Sequence, residues 1–385
     1  MLESIKKVDK KILTMAGIVF GIIIIFIIAI VVVSLTSGGK ISFSKIESKL
    51  EKAAESYYKD NDSALPKEIG KTEEIDDATL VSGGYIKDLS EYTDENVSCS
   101  AKVIVGKTMD GYDYVANLDC GDEYKTEFLA DKLIESDLVT TGNGLYKMED
   151  VVEVGETLGI DDSGYDLSTN ELMKGYIYRG ENVNNYVKVG DQLFRILKID
   201  GNKDFTLVIA KSKVRGSYDD RYNTDIAKED GINNYTTSRA YEALTDNYKN
   251  ADELVKSKLA SKNICIGARS VDETSTDGSV ECSVVMKNQY YSLIPIFDIM
   301  NTSLSEGCET SISRECSNYN FLIDGNSSWS MTPSTDNTYT AYRITESISV
   351  SRTSMSGRYK YVYYLSNRLV FDGGTGTEND PYIVK

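Results

Sequence analysis

Hydrophobic and polar positions follow different rhythms in successive parts of the chain. From Ile12 to Val33 the sequence ILTMAGIVFGIIIIFIIAIVVV runs for 22 positions without a charge. As a helix it would extend about 33 Å, enough to cross the hydrocarbon core of a bilayer. A helical period then takes over in ISFSKIESKLEKAAESYYKD, where Ile46, Leu50, Ala53 and Tyr57 fall on one stripe. Ser44-x-x-Glu47 reads as a capping box, and Pro66 sets the far limit of that helix. Two alternating runs follow, CSAKVIV and YDYVANLDC, on either side of KTMDG. A hairpin centred between Met109 and Asp110 sets Cys99 opposite Cys120, Ala101 opposite Leu118 and Val103 opposite Ala116. One face is then largely apolar and ends in a cysteine pair at bridging distance.

Residues 137–172 are acidic and glycine-rich without a strong period and read as a linker. From Gly175 onward β-branched and aromatic runs dominate, broken at Gly190-Asp191 and Asp200-Gly201-Asn202. The main helical stretch there is 236–262, and the apolar run 291–304 holds room for a short helix. The pattern predicts an α+β chain. A single transmembrane helix leads to a stalk of helix plus small β domain, and then to a mainly β, disulfide-bonded distal domain.

Charge gives the ends an orientation. Lys6, Lys7, Lys10 and Lys11 outnumber Glu3 and Asp9 before the apolar run, a net +2 that the positive-inside rule keeps cytoplasmic. The whole chain carries −18, so −20 lies beyond that tail. The run exceeds the usual apolar region of a cleaved secretory signal and lacks a convincing small-residue cleavage site after it, which favours an uncleaved signal anchor. The expected organisation is a cytoplasmic tail (1–11), an anchor in the lipid bilayer (12–36), a stalk domain (41–136), a linker (137–172) and an extracellular domain (173–385).

Composition narrows the chemistry. The absence of histidine removes Ser-His-Asp and Cys-His catalysis and H-E-x-x-H zinc sites. The acidic balance argues against nucleic acid as a partner. All six cysteines, Cys99, Cys120, Cys265, Cys282, Cys308 and Cys316, follow the apolar run, where an oxidising exterior permits bridges. Each of the later pairs can close locally, so three sequential disulfides are chosen among the connectivities that six cysteines allow. Ser37-Gly38-Gly39-Lys40 formally matches S-x-x-K but reads as a hinge at the membrane exit. Asp161, Asp162 and Asp166, and Asp372, Glu378 and Asp380, have carboxylates suited to calcium but not the EF-hand spacing. Solvated acidic loops are the plainer reading, and no cofactor is assigned. Gly373-Gly374-Thr375-Gly376 reads as a tight turn before a final strand. Trp329, the chain's one tryptophan, has two readings: a core residue, and a candidate ligand contact offering a flat amphipathic ring.

Two resemblances add to this. The plan of residues 12–135, with Ala53-Ala54-Glu55-Ser56-Tyr57-Tyr58, Pro66, Leu80-Val81 and Gly84-Tyr85-Ile86, resembles type IV pilins and pseudopilins. It implies a pilin-like stalk. No glycine-phenylalanine processing site precedes the apolar run here. Residues 175–385 resemble a family of uncharacterised surface modules of Gram-positive bacteria. The matching stretches include YIYRGENVNNYVKVGDQLFRILKI, SLIPIFDIMNTS, SWSMTP and the tail YVYYLSNRLVFDGGTGTENDPYIVK. Their strand order is distantly similar to the formylglycine-generating-enzyme and C-type-lectin folds. The expected function is a non-enzymatic, membrane-anchored binding or display protein of a Gram-positive cell surface, its ligand a cell-wall glycan or a protein. The alternatives are a pseudopilin-like component of a type II secretion or type IV pilus machine, and a surface hydrolase using Asp/Glu.

Overall fold

The computed structural model describes residues 40–148, 158–159 and 174–385. The chain divides into two compact units. One comprises the residues up to Asp60, Ile75–Val103 and Ala116–Lys125; the other comprises Asn61–Glu74, Ile104–Val115 and Thr126–Lys385.

Helix α1 (Phe43–Asp60) buries Ile46, Leu50, Ala53, Ala54 and Tyr58, so the expected stripe holds except that Tyr58 takes the place of Tyr57. The helix begins at Phe43, which puts Ser44 inside the first turn rather than at the cap. The Ser42 carbonyl accepts the N–H groups of Lys45 and Ile46 there. Glu47 has turned inward and accepts the Tyr124 hydroxyl at 2.8 Å, so it is not available to close a capping box. Strand β1 (Thr72–Asp76) leads into α2 (Asp77–Ser82), where the Asp76 carboxylate caps the Thr79 N–H at 2.8 Å. Strands β2 (Ser100–Lys107) and β3 (Tyr112–Asp119) form a sheet with β1, in the order β1-β2-β3. The two long strands are symmetric about the expected hairpin centre. Ala101, Val103, Ala116 and Leu118 are buried, and Cys99 bridges Cys120 with Cα atoms 4.1 Å apart.

The later strands are β4 (Gly144–Met148), β5 (Leu158–Gly159), β6 (Gly175–Arg179), β7 (Tyr186–Val189), β8 (Gln192–Asp200), β9 (Phe205–Ile209), β10 (Arg215–Ser217) and β11 (Lys262–Cys265). They continue with β12 (Val284–Gln289), β13 (Tyr291–Ser292), β14 (Ser328–Pro333), β15 (Thr340–Ile344), β16 (Ile348–Arg352), β17 (Ser356–Tyr359), β18 (Val362–Leu365) and β19 (Tyr382–Val384). An eight-stranded sheet runs β13-β18-β9-β8-β6-β4, with β7 pairing both β8 and β19. A five-stranded sheet runs β10-β17-β14-β15-β16, and a smaller one β11-β12-β5. The helices are α3 (Leu129–Ser136), α4 (Arg239–Lys249), α5 (Glu253–Ser257) and α6 (Ile296–Asn301). The breaks expected at Gly190-Asp191 and Asp200-Gly201-Asn202 separate β7 from β8 and β8 from β9. The core of this unit is one apolar cluster that includes Phe194, Ile196, Leu207, Trp329 and Tyr363.

The expected fold class is corrected. The described residues are mostly β sheet with few helices, rather than α+β with a membrane-crossing helix and a pilin-like α+β stalk. No helix among the described residues is long and apolar enough to cross a membrane, and the run 12–36 lies outside them. The physical reason is local. After Asp60 the helical stretches are short, and the expected helix over 236–262 divides into α4 and α5 around Asn250, Ala251 and Asp252. The expected stalk is also not a separate compact body, because 61–74 and 104–115 group with the second unit. Part of the expected linker is strand: β4 pairs antiparallel with β6, Tyr146 opposite Ile177.

Candidate functional site

A cavity of about 160 Å³ opens in the second unit, lined by both ionic and apolar groups. Its ionic lining comes mainly from the β8–β9 hairpin, β11 and α6. Strand β8 is apolar at Leu193, Phe194, Ile196, Leu197 and Ile199, with the charges of Arg195 and Lys198 set among them. The β8–β9 register slips between Ile196 and Lys198, a bulge that breaks strict alternation. Lys198 is buried and lines the cavity, with its ammonium on the carboxylate of Asp298. Asp298 belongs to α6, where it is the single charge in an apolar stretch, IPIFDIM. The ring of Phe297 stands 4.9 Å from the Lys198 ammonium, which adds a cation–π contact. Burial raises the Asp298 carboxyl above the ordinary carboxylate range, and Lys198 opposes that shift.

The turn after β8 supplies two further carboxylates. Asp200 Oδ1 accepts the backbone N–H groups of Asn202 and Asp204, both at 2.9 Å. Lys203 adopts a left-handed conformation (φ 65°) within this turn. The Lys262 ammonium pairs with Asp200 and lies 3.6 Å from Asp204 Oδ2. Asp204 Oδ1 accepts the Asn367 N–H at 2.9 Å. Burial pushes the Asp204 carboxyl up to about 6, outweighing the Asn367 N–H and the charge of Arg368. The apolar lining includes Phe297, Met331 from β14, and Val362 and Tyr364 from β18. Lys174, which is exposed, also borders the cavity.

Of the residues singled out in the sequence that are among the described ones, Cys265 lines the cavity. The three sequential bridges are formed: Cys99–Cys120, Cys265–Cys282 and Cys308–Cys316. Cys265 lines the cavity as a disulfide half, not as a thiol. Trp329 is fully buried, with its ring against Tyr218 at 5.6 Å and its indole N–H donated to the Gly216 carbonyl at 3.1 Å. An indole enclosed in this way is a core residue and offers no ring face to a surface ligand. Lys40 pairs with Asp94, while Ser37 lies outside the described residues. Asp161, Asp162 and Asp166 also lie outside them. Glu378 is paired with Lys211. Among the described residues no group of three or more Cys, Asp or Glu side chains could hold a metal ion. Gly373, Gly374 and Gly376 all take positive φ just before β19, consistent with a tight turn.

Lys198, Asp200, Asp204, Lys262 and Asp298 were not legible as a site in the sequence. The available signal was the lone lysine in LFRILKI and the lone aspartate in IPIFDIM. Opposite charges buried within two largely apolar runs have reason to meet, because a buried charge needs a partner.

Comparison with known protein families, curated proteins and solved structures finds no match to this chain.

Proposed function

We propose that this protein is a membrane-anchored binding module of a Gram-positive cell surface, and that the cavity between the β8–β9 turn, β11 and α6 is its binding site. The observation that carries the reading is the mixed lining: paired ionic groups from β8, β11 and α6 share one cavity with the apolar side chains of Phe297, Met331 and Val362. Ligand sites commonly combine an apolar wall with a few placed polar groups. The anchor reading rests on the uncharged run from Ile12 to Val33 and the four lysines before it. The three disulfides accord with an oxidising exterior.

Two experiments test the two halves. Protease added to wall-stripped cells should remove the part beyond the apolar run and leave a short membrane stub; full protection of the C-terminal part contradicts the orientation. Full-length protein in detergent should bind solubilised cell-wall fragments, and Phe297→Ala should weaken that binding. Equal binding by the variant removes the cavity from the account.

One observation favours a second reading, a surface hydrolase using Asp/Glu. Asp200 and Asp204 border one cavity, and Asp204 is held up at about 6, suited to donating a proton. Release of reducing ends from cell-wall glycan, lost in Asp204→Asn, would support it; no release by the wild-type protein rejects it.

A further inference from the structure

We infer that the cavity takes a small zwitterion of amino-acid size, carrying an ammonium and a carboxylate on one carbon. The inference rests on the binding reading of this same cavity and names its ligand class. A volume of about 160 Å³ suits a compact molecule. The charges that border the cavity balance, with Lys174, Lys198 and Lys262 against Asp200, Asp204 and Asp298. A simple anion entering here would draw on the lysines and leave carboxylates without their cations; a simple cation would do the reverse. Stranding a poorly solvated charge is costly. A zwitterion avoids this, because it brings one charge of each sign and leaves the balance of the lining unchanged.

The geometry gives the ends their places. Asp204 Oδ2 lies 3.6 Å from its cation, Lys262, beyond hydrogen-bond length. An ammonium in the cavity can approach that carboxylate directly. The ligand carboxylate then faces Lys174 at the exposed border. Phe297, Met331 and Val362 leave an apolar surface for a short aliphatic side chain.

The test is calorimetric titration of the full-length protein in detergent with L-alanine, with uncharged N-acetyl-alanine amide and with solubilised wall glycan. Saturable binding of alanine, and none of the uncharged amide, is expected. Asp204→Asn should weaken alanine binding about tenfold or more, the usual effect of losing a charge-assisted hydrogen bond. Lys174→Met, at an exposed position, should weaken it too while leaving the thermal midpoint unchanged, which separates binding from folding. Equal affinity for the uncharged amide, or unchanged alanine affinity in both variants, overturns the inference. Binding of glycan without alanine overturns the inference alone and leaves the binding reading standing. Binding of none of the three overturns both.

Discussion

Glu281→Gln is expected to be among the most destabilising single-residue changes in the second unit. Arg269 and Glu281 are both fully buried, and Arg269 Nη1 donates to the two carboxylate oxygens at 3.2 and 3.0 Å. Arg269 Nη2 donates to the carbonyls of Glu273 (3.2 Å) and Ser275, and Nε has no partner. Burial raises the Glu281 carboxyl above its ordinary range against the pull of Arg269, so the pair is costly to bury even when intact. Glutamine removes the negative charge while preserving the shape. Arginine cannot escape by losing its proton, so the guanidinium is left buried beside neutral acceptors only. Breaking a buried pair in this way costs about 3–5 kcal/mol. With roughly 2–4 °C per kcal/mol for a unit of this size, the thermal midpoint should fall by roughly 10 °C. Trp329 makes the assay local: it is the chain's one tryptophan and it lies in the second unit's core, so its fluorescence reports the unfolding of that unit. The double variant Arg269→Met with Glu281→Leu removes both charges and should recover most of the loss. A Glu281→Gln midpoint within about 1 kcal/mol of wild type, or a double variant less stable than the single, would refute the reasoning.

Three further outcomes follow from the same structure. A Cβ at Gly106 would lie 1.6 Å from Nη1 of the fully buried Arg368, whose guanidinium pairs with Asp113, so Gly106→Ala should destabilise by about 1–3 kcal/mol in urea unfolding; no change would mean Arg368 is not fixed there. Asp204, raised to about 6, binds its proton more tightly in the folded than in the unfolded state, so its contribution to stability falls as pH rises from about 4 through 6, by roughly 3 kcal/mol; the difference between wild type and Asp204→Asn should follow that window, and a flat difference contradicts the burial argument. The Cys265–Cys282 bridge spans 17 residues and should contribute roughly 3 kcal/mol, so Cys265→Ser with Cys282→Ser should lower the Trp329 midpoint, and an unchanged midpoint would show the loop ordered without it.

What was legible in the sequence was local in kind. Alternation and cysteine placement together determined the β2–β3 hairpin, because a slip of one residue would have turned Ala101, Val103 and Leu118 to the other face. Glycine-bearing turns marked the ends of β7 and β8. The α1 stripe was readable, but its start was not, since Glu47 serves Tyr124 on a distant stretch of chain rather than its own cap. The pilin-like stalk misled for a related reason: the order of elements suggested a separate body, while the grouping of 104–115 with the later residues depends on long-range pairs such as Lys258–Asp113. The candidate cavity was hidden for the same cause. Lys198 and Asp298 are 100 residues apart, and only the fold brings them together.

The most direct test of the binding account uses the methionines. Met331 and Met148 line the cavity, while Met109 and Met355 are exposed and do not. Full-length protein in detergent, carrying labelled methionine methyl groups, can be titrated with L-alanine and with solubilised cell-wall fragments and followed by NMR, with each signal assigned by replacing that methionine with leucine. The account predicts saturable shifts of Met331 and Met148 with Met109 and Met355 unmoved. Shifts confined to Met109 or Met355, or no saturable shift at any of the four, would contradict it.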